Sequence, residues 1–172
     1  AWMGEIVPDL SINPQKISEI NQAYVKYGNA SPPNVGFGIS YVLPIVVSGL
    51  IAGRNEMLIV ENPEAHLHPS GQSRIGRFLA RVAASGTQVI VETHSEHVIN
   101  GIRLASLDGT INHKDVLINF FSKERDSIQS VIKSIDINEA GDLMSYPRGF
   151  FDQQQRDFAK IVEQKRNRYN KP

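Results

Sequence analysis

The stretch that most constrains the fold is Met57-Leu58-Ile59-Val60-Glu61-Asn62-Pro63-Glu64-Ala65-His66-Leu67-His68-Pro69. An apolar run enters an acid and halts at a proline. Continuous apolarity bounded by turn residues predicts a strand covered on both faces by helices, and Pro63 cannot donate to a ladder, so the strand should end near Asn62. Glu61, Asn62 and Glu64 then stand at its carboxyl end, where open α/β sheets bind ligands. The alternative is a polar loop following a core strand.

A second β-rich run, residues 87–92, also ends in an acid, Glu92, and is followed by Thr93-His94-Ser95. Between the two runs, Ser70 can cap a helix to about residue 84 that carries Ile75, Phe78, Leu79 and Val82 on one face and Arg74, Arg77 and Arg81 on another. Strand, helix and strand within about 35 residues form a βαβ unit, whose right-handed crossover makes the strands parallel neighbours or near neighbours. Glu61, Glu64, Glu92 and His94 are therefore expected along one sheet edge. A helix to about residue 105 should follow.

Upstream, Ile17, Ile20, Ala23, Tyr24 and Tyr27 recur at helical spacing, which predicts a helix over residues 14–27 with Asn13 as its cap and Gly28 at its end. Turn-forming residues 29–34 lead into Val35-Gly36-Phe37-Gly38-Ile39-Ser40. Here two glycines would let backbone approach a ligand, and Ser40 would begin a helix to about residue 52, with Pro44 near its first turn. Free N–H groups, the positive helix end and a hydroxyl suit a phosphate. The same residues also fit a glycine turn capping a buried helix. They do not fit the dinucleotide fingerprint, since no strand precedes them and a third glycine is missing.

Downstream, residues 116–121 and 130–137 read as two strands joined across the charged turn Lys123-Glu124-Arg125-Asp126. A turn with aromatics, Tyr146-Pro147-Arg148-Gly149-Phe150-Phe151-Asp152, precedes a terminal helix over residues 153–168, with Phe158, Ile161 and Val162 expected inward. The basic residues Lys165, Arg166, Arg168 and Lys171 could touch nucleic acid, but at a helix C-terminus they are as well explained by solvation and the helix dipole. No internal repeat or low-complexity tract interrupts the chain.

Composition narrows the class. The 172 residues are 41% hydrophobic and 21% charged, with formal charge zero, which fits a folded globular chain without a global field for nucleic acid. The absence of cysteine excludes disulfides, thiolate nucleophiles and cysteine-ligated zinc, and favours a reducing, cytoplasmic setting. The longest apolar segment, residues 39–52, is too short and too interrupted to span a bilayer, and no signal peptide precedes it, so no membrane partner is expected. The opening, Ala1-Trp2-Met3-Gly4-Glu5-Ile6, reads as the middle of a longer polypeptide.

The run over residues 34–103 resembles the C-terminal half of ABC-type ATPases of the SMC/RecF/OLD group, specifically the bacterial ones whose pattern includes Glu-Asn-Pro-Glu-Ala-His-Leu-His-Pro. Residues 147–152 are similar to a motif of the uncharacterised C-terminal domain that often follows this core. The resemblance implies an α/β fold, the C-terminal lobe of a P-loop NTPase lacking its Walker A half, over residues 1–112. Residues 113–172 would be an appendage of two strands and a helix. It also implies ATP and Mg²⁺ as cofactors, a homodimer closed around ATP, a missing N-terminal ATPase half, and an ATP-driven switch in DNA-related or defence processes.

By that resemblance Gly36, Gly38 and Ser40 belong to the signature motif, which binds the γ-phosphate held by a partner subunit. Glu61 ends the Walker B strand and holds Mg²⁺, residues 65–69 fall at the D-loop, and His94 is the switch histidine. Two departures matter. No segment matches G-x-x-x-x-G-K-[ST], so the phosphate-cradling loop is absent. Asn62 stands where most ABC ATPases carry the catalytic glutamate, and Glu61 where they carry an aspartate, which leaves Glu64, with Glu92 in reserve, as the carboxylate to accept a proton. A nuclease of the OLD kind is not expected, because Asp136-Ile137-Asn138 lacks the second acid of an Asp-x-Asp pair. Two other readings compete: a metal-dependent hydrolase using Glu64, His66, His68, His94 and His97, and a nonenzymatic dimerisation module.

Overall fold

The computed structural model describes residues 2–8, 10–28, 36–123 and 128–169. The turn expected over residues 29–34, most of the charged turn at 124–126 and Lys171 lie outside them. The chain divides into two compact units, Ala1–His113 and Lys114–Pro172.

The first unit opens with a short helix α1 (Trp2–Ile6) and an antiparallel hairpin, β1 (Ile12–Ile17) with β2 (Gln22–Tyr27). The hairpin replaces the helix expected over residues 14–27. Asn21, at φ 47°, closes the turn in the left-handed region that asparagine tolerates. Pro14 opposes Val25, and a two-stranded ribbon leaves each strand an outer edge where a missing N–H costs no ladder bond. Most of the helical stripe has no core to face: Ile17, Ile20 and Tyr24 are exposed, and Tyr27 alone of the large residues is buried. Without that burial, the strand preference of Tyr24, Val25 and Tyr27 decides.

Helix α2 (Phe37–Ile51) starts three residues before Ser40, with Gly36 in the cap position and Pro44 inside it. Ser40 therefore lies in the first turn rather than at the start. Strand β3 (Met57–Glu61) is followed by helix α3 (Pro69–Ala84), strand β4 (Gln88–Glu92) and helix α4 (Glu96–Leu107). The cap of α3 is His68, whose ring nitrogen accepts from the Ser70 N–H, not Ser70 itself. Pro69 takes the first helical position, where its missing N–H is no loss.

β3 and β4 pair in parallel, Met57 opposite Gln88 through Glu61 opposite Glu92. Leu58, Val60, Val89 and Val91 pack onto a core of Val42, Val46, Ile75, Phe78, Leu79, Val82 and Val98. The opposite face is open: Met57, Ile59 and Ile90 are 55%, 63% and 46% exposed. The expectation of a strand buried on both faces is thus corrected, because among the described residues helices cover one face of this sheet only. An unbroken apolar run cannot say which face a given chain covers.

Helices α3 and α4 touch backbone to backbone. A Cβ on Gly76 would fall 2.2 Å from the Val98 carbonyl oxygen, and one on Gly101 would fall 2.0 Å from that of Ser73. This crossing fixes the start of α4, and with it residues 93–95, against α3.

In the second unit β5 (Leu117–Lys123) and β6 (Ser130–Asp136) form an antiparallel hairpin. Ile135 and Phe150 are buried, with Phe150 edge-on to both Phe120 and Phe151. Asp152 accepts from the Gly149 N–H and pairs with Arg156, which hold its carboxyl below the usual range and begin helix α5 (Gln153–Tyr169). Phe158, Ile161 and Val162 are 67%, 50% and 49% exposed, so the inward packing expected of them is not found. Among the described residues no helix is long and apolar enough to cross a membrane.

Candidate functional site

The parallel pairing sets Glu61 and Glu92 side by side at the carboxyl ends of β3 and β4. Both are exposed. The next residue, Asn62, adopts φ 46°, and its N–H still donates to the Glu92 carbonyl at 2.9 Å. The chain then leaves the sheet at Pro63, which is fully buried, and forms a tight loop to His68. His66, at φ 59°, is a second left-handed residue in this loop, a conformation non-glycine residues hold only when their surroundings impose it.

Glu64 bridges this loop to the end of β4. Its Oε2 accepts from the Thr93 hydroxyl at 2.7 Å and its Oε1 from the His94 N–H at 2.8 Å. The His94 ring is largely exposed and places Nε2 3.2 Å from Glu92 Oε1. Ser95, almost fully buried, accepts from the His97 and Val98 N–H groups and caps α4.

The glycine-rich helix start reaches the same edge. Just past the first turn of α2, the Tyr41 hydroxyl donates to the Glu61 carbonyl at 2.9 Å. Gly38 lies against the loop so closely that a Cβ there would sit 2.5 Å from the His66 carbonyl oxygen; only glycine permits this approach. Phe37, 81% exposed, leans its ring on that of His66 at 5.8 Å. Gly36, Phe37 and Ser40 are exposed, so this helix start faces solvent beside the loop.

Three segments far apart in sequence thus share one edge: Gly36, Gly38 and Ser40; Glu61, Asn62 and Glu64; and His94. A solvent-facing helix start offers N–H donors to an anion, and an exposed carboxylate at a strand end offers hard oxygen to Mg²⁺. The donor set therefore fits a nucleotide phosphate and its metal. The hydrolase arrangement is not assembled. His66 leans on Phe37, His68 caps α3, and among the described residues no group of three or more His, Asp or Glu side chains is placed to hold a metal ion.

Tyr41 and Gln72 complete the site's framework beside Thr93, and these two are not singled out by the sequence. Their role rests on hydrogen bonds between loops, and only the weak signal of a polar residue in an otherwise apolar or helical stretch marks them.

The family described as "AAA ATPase domain" matches residues 8–99, and that described as "Protein of unknown function (DUF3696)" matches residues 111–161. The chain is 33% identical over 69 residues to the Old nuclease of Escherichia phage P2, a match that covers 36% of this chain and 12% of that protein. The chain thus spans a small part of that relative's length. A solved structure described as "Structural biochemistry of ATP-driven dimerization and DNA stimulated activation of SMC ATPases" superposes with a TM-score of 0.52 at 10% identity, covering 94% of this chain and 86% of that one. At that identity the likeness is one of α/β fold.

Proposed function

The chain belongs to the AAA ATPase domain family, and on that premise we propose that it is the C-terminal part of an ATPase that closes as a dimer around ATP. The observation that carries this reading is the convergence of the α2 start, the β3 end and the His94 loop on one edge, the first two joined by the Tyr41 hydroxyl at the Glu61 carbonyl and the last two by the Glu64 carboxylate. The phosphate-cradling loop, which no segment of these 172 residues supplies, comes from an N-terminal half. The dimerisation by ATP named for the SMC ATPases supports closure of two such halves.

Bound Mg-ATP supplies the transferable phosphoryl group and the cation that neutralises its oxygens. The residues of this chain divide the remaining work. Glu61 would hold Mg²⁺, and Gly36 and Ser40 would present N–H and hydroxyl donors toward the γ-phosphate of the facing subunit, while the buried Gly38 sets the helix start against the loop. Asn62 has no titratable group and orients water. Glu64 keeps a lone pair on each oxygen beyond the bonds it accepts, so it can take a proton while Thr93 and His94 hold it still. The exposed His94 ring would donate an N–H to the developing phosphate charge on turning away from Glu92. The process driven by this switch is DNA-related or defensive in this reading, and the likeness of a 69-residue stretch to a nuclease supports the DNA-related part.

The test uses the complete ATPase. Ser40→Arg should abolish dimerisation with a nonhydrolysable ATP analogue in light scattering, and Glu64→Gln should lower turnover by roughly 10²-fold while leaving nucleotide affinity nearly intact. Equal dimerisation of parent and Ser40→Arg would remove Ser40 from the phosphate. Parental turnover in Glu64→Gln, with loss in Glu92→Gln, would move the base to β4.

A further inference from the structure

One side chain outside the signature, strand-end and histidine segments touches two of the loops they build. Gln72, half-buried on the first turn of α3, donates from Nε2 to the Leu67 carbonyl at 2.9 Å, while its Oε1 accepts from the Ser95 hydroxyl at 2.6 Å. The Leu67 carbonyl can only accept, so the amide has one orientation that satisfies both ends. Ser95 is in turn committed on every side. Its hydroxyl donates to Gln72 and accepts from His97 and Val98, and its N–H donates to Thr93 Oγ1 at 3.1 Å. Thr93 passes the connection to Glu64, and so back to the loop after β3.

We infer that Gln72 is a positioning residue: it locks the loop at residues 62–68 to the cap of α4, so that His94 and the loop lying under the α2 start keep one fixed relation. The functional part of this inference rests on the ATPase reading. Its physical basis is that a charge-free bridge between two short loops supplies rigidity where neither loop has a ladder of its own. The Gly76 and Gly101 crossing anchors α4 below the cap, leaving Gln72 to fix the loops above it.

Two substitutions separate the ends of the bridge in the complete ATPase. Gln72→Leu removes both bonds at similar volume. Gln72→Glu keeps an acceptor for Ser95 and sets an oxygen against the Leu67 carbonyl. In amide exchange without nucleotide, Gln72→Leu should speed exchange at Leu67, His97 and Val98 about ten-fold, the scale of one lost hydrogen bond, and should shift the His94 ring resonances. Gln72→Glu should speed exchange at Leu67 alone. In steady-state turnover Gln72→Leu should lower kcat roughly ten-fold with KM within about two-fold, the signature of misplaced groups rather than weakened binding, and Gln72→Glu should fall between it and the parent. Unchanged exchange and His94 resonances in Gln72→Leu would overturn the bridge, and faster exchange with parental kcat would overturn its positioning role. A parent without turnover would instead refute the ATPase reading, while the exchange pattern and the His94 resonances would still decide for or against the bridge.

Discussion

Replacing Gly101 by alanine adds one methyl group where α4 lies against the backbone of α3. That methyl would stand 2.0 Å from the Ser73 carbonyl oxygen, 2.9 Å from its carbon and 3.2 Å from the Arg77 nitrogen. These are backbone atoms of α3, so no side chain can turn aside. A carbon and a carbonyl oxygen rest comfortably at about 3.3 Å or more, and α4 must therefore move away from α3 by at least about 1 Å. Overpacking of this kind costs about 1–3 kcal/mol, and a contact with rigid backbone belongs near the upper end. Alanine returns up to about 1 kcal/mol through its helix preference. The expected balance is a loss of about 2 kcal/mol, read as a lower urea midpoint with an unchanged slope. Gly76→Ala, whose methyl would meet the Val98 carbonyl at 2.2 Å, should cost a similar amount. The double variant should lose less than the sum, because the first methyl already parts the helices. A midpoint equal to or above the parent's in Gly101→Ala would refute the reasoning, since it would mean that only helix preference was acting.

Ser95→Ala removes the cap of α4 and leaves the Gln72 oxygen without its donor, so it should destabilise by about 1–2 kcal/mol, measured by denaturant titration. Asp108 sits below its usual carboxyl range first through the Thr110 hydroxyl and N–H, then through Arg77 and Arg81. A depressed carboxyl adds stability above its unfolded pKa and loses it as pH falls through the folded value. Thr110→Val should therefore move the Asp108 titration upward, followed by carbon-detected NMR, and soften the loss of stability in acid; partial exposure keeps the effect on stability small.

The sequence by itself determined the βαβ unit, because an apolar run ending in an acid, a helical stripe and a second such run encode local periodicities that survive without their neighbours. It also placed Glu61, Glu64, Glu92 and His94 on one edge, since parallel strands joined by a short crossover must bring their carboxyl ends together. The alternation of the terminal hairpin was equally legible. Residues 14–27 were not: their spacing suits a helix, and only the lack of a surface to bury Ile17, Ile20 and Tyr24 makes them a hairpin. Nor could the sequence tell that Ser40 lies inside its helix, that His68 rather than Ser70 caps α3, or that one face of β3 stays open. Those outcomes rest on which elements are present to pack. The hydrogen bonds of Glu64 and Gln72 across residues 20 to 30 positions apart belong to the same class, because a polar side chain on one helix or loop carries no mark of its partner until the chain has folded.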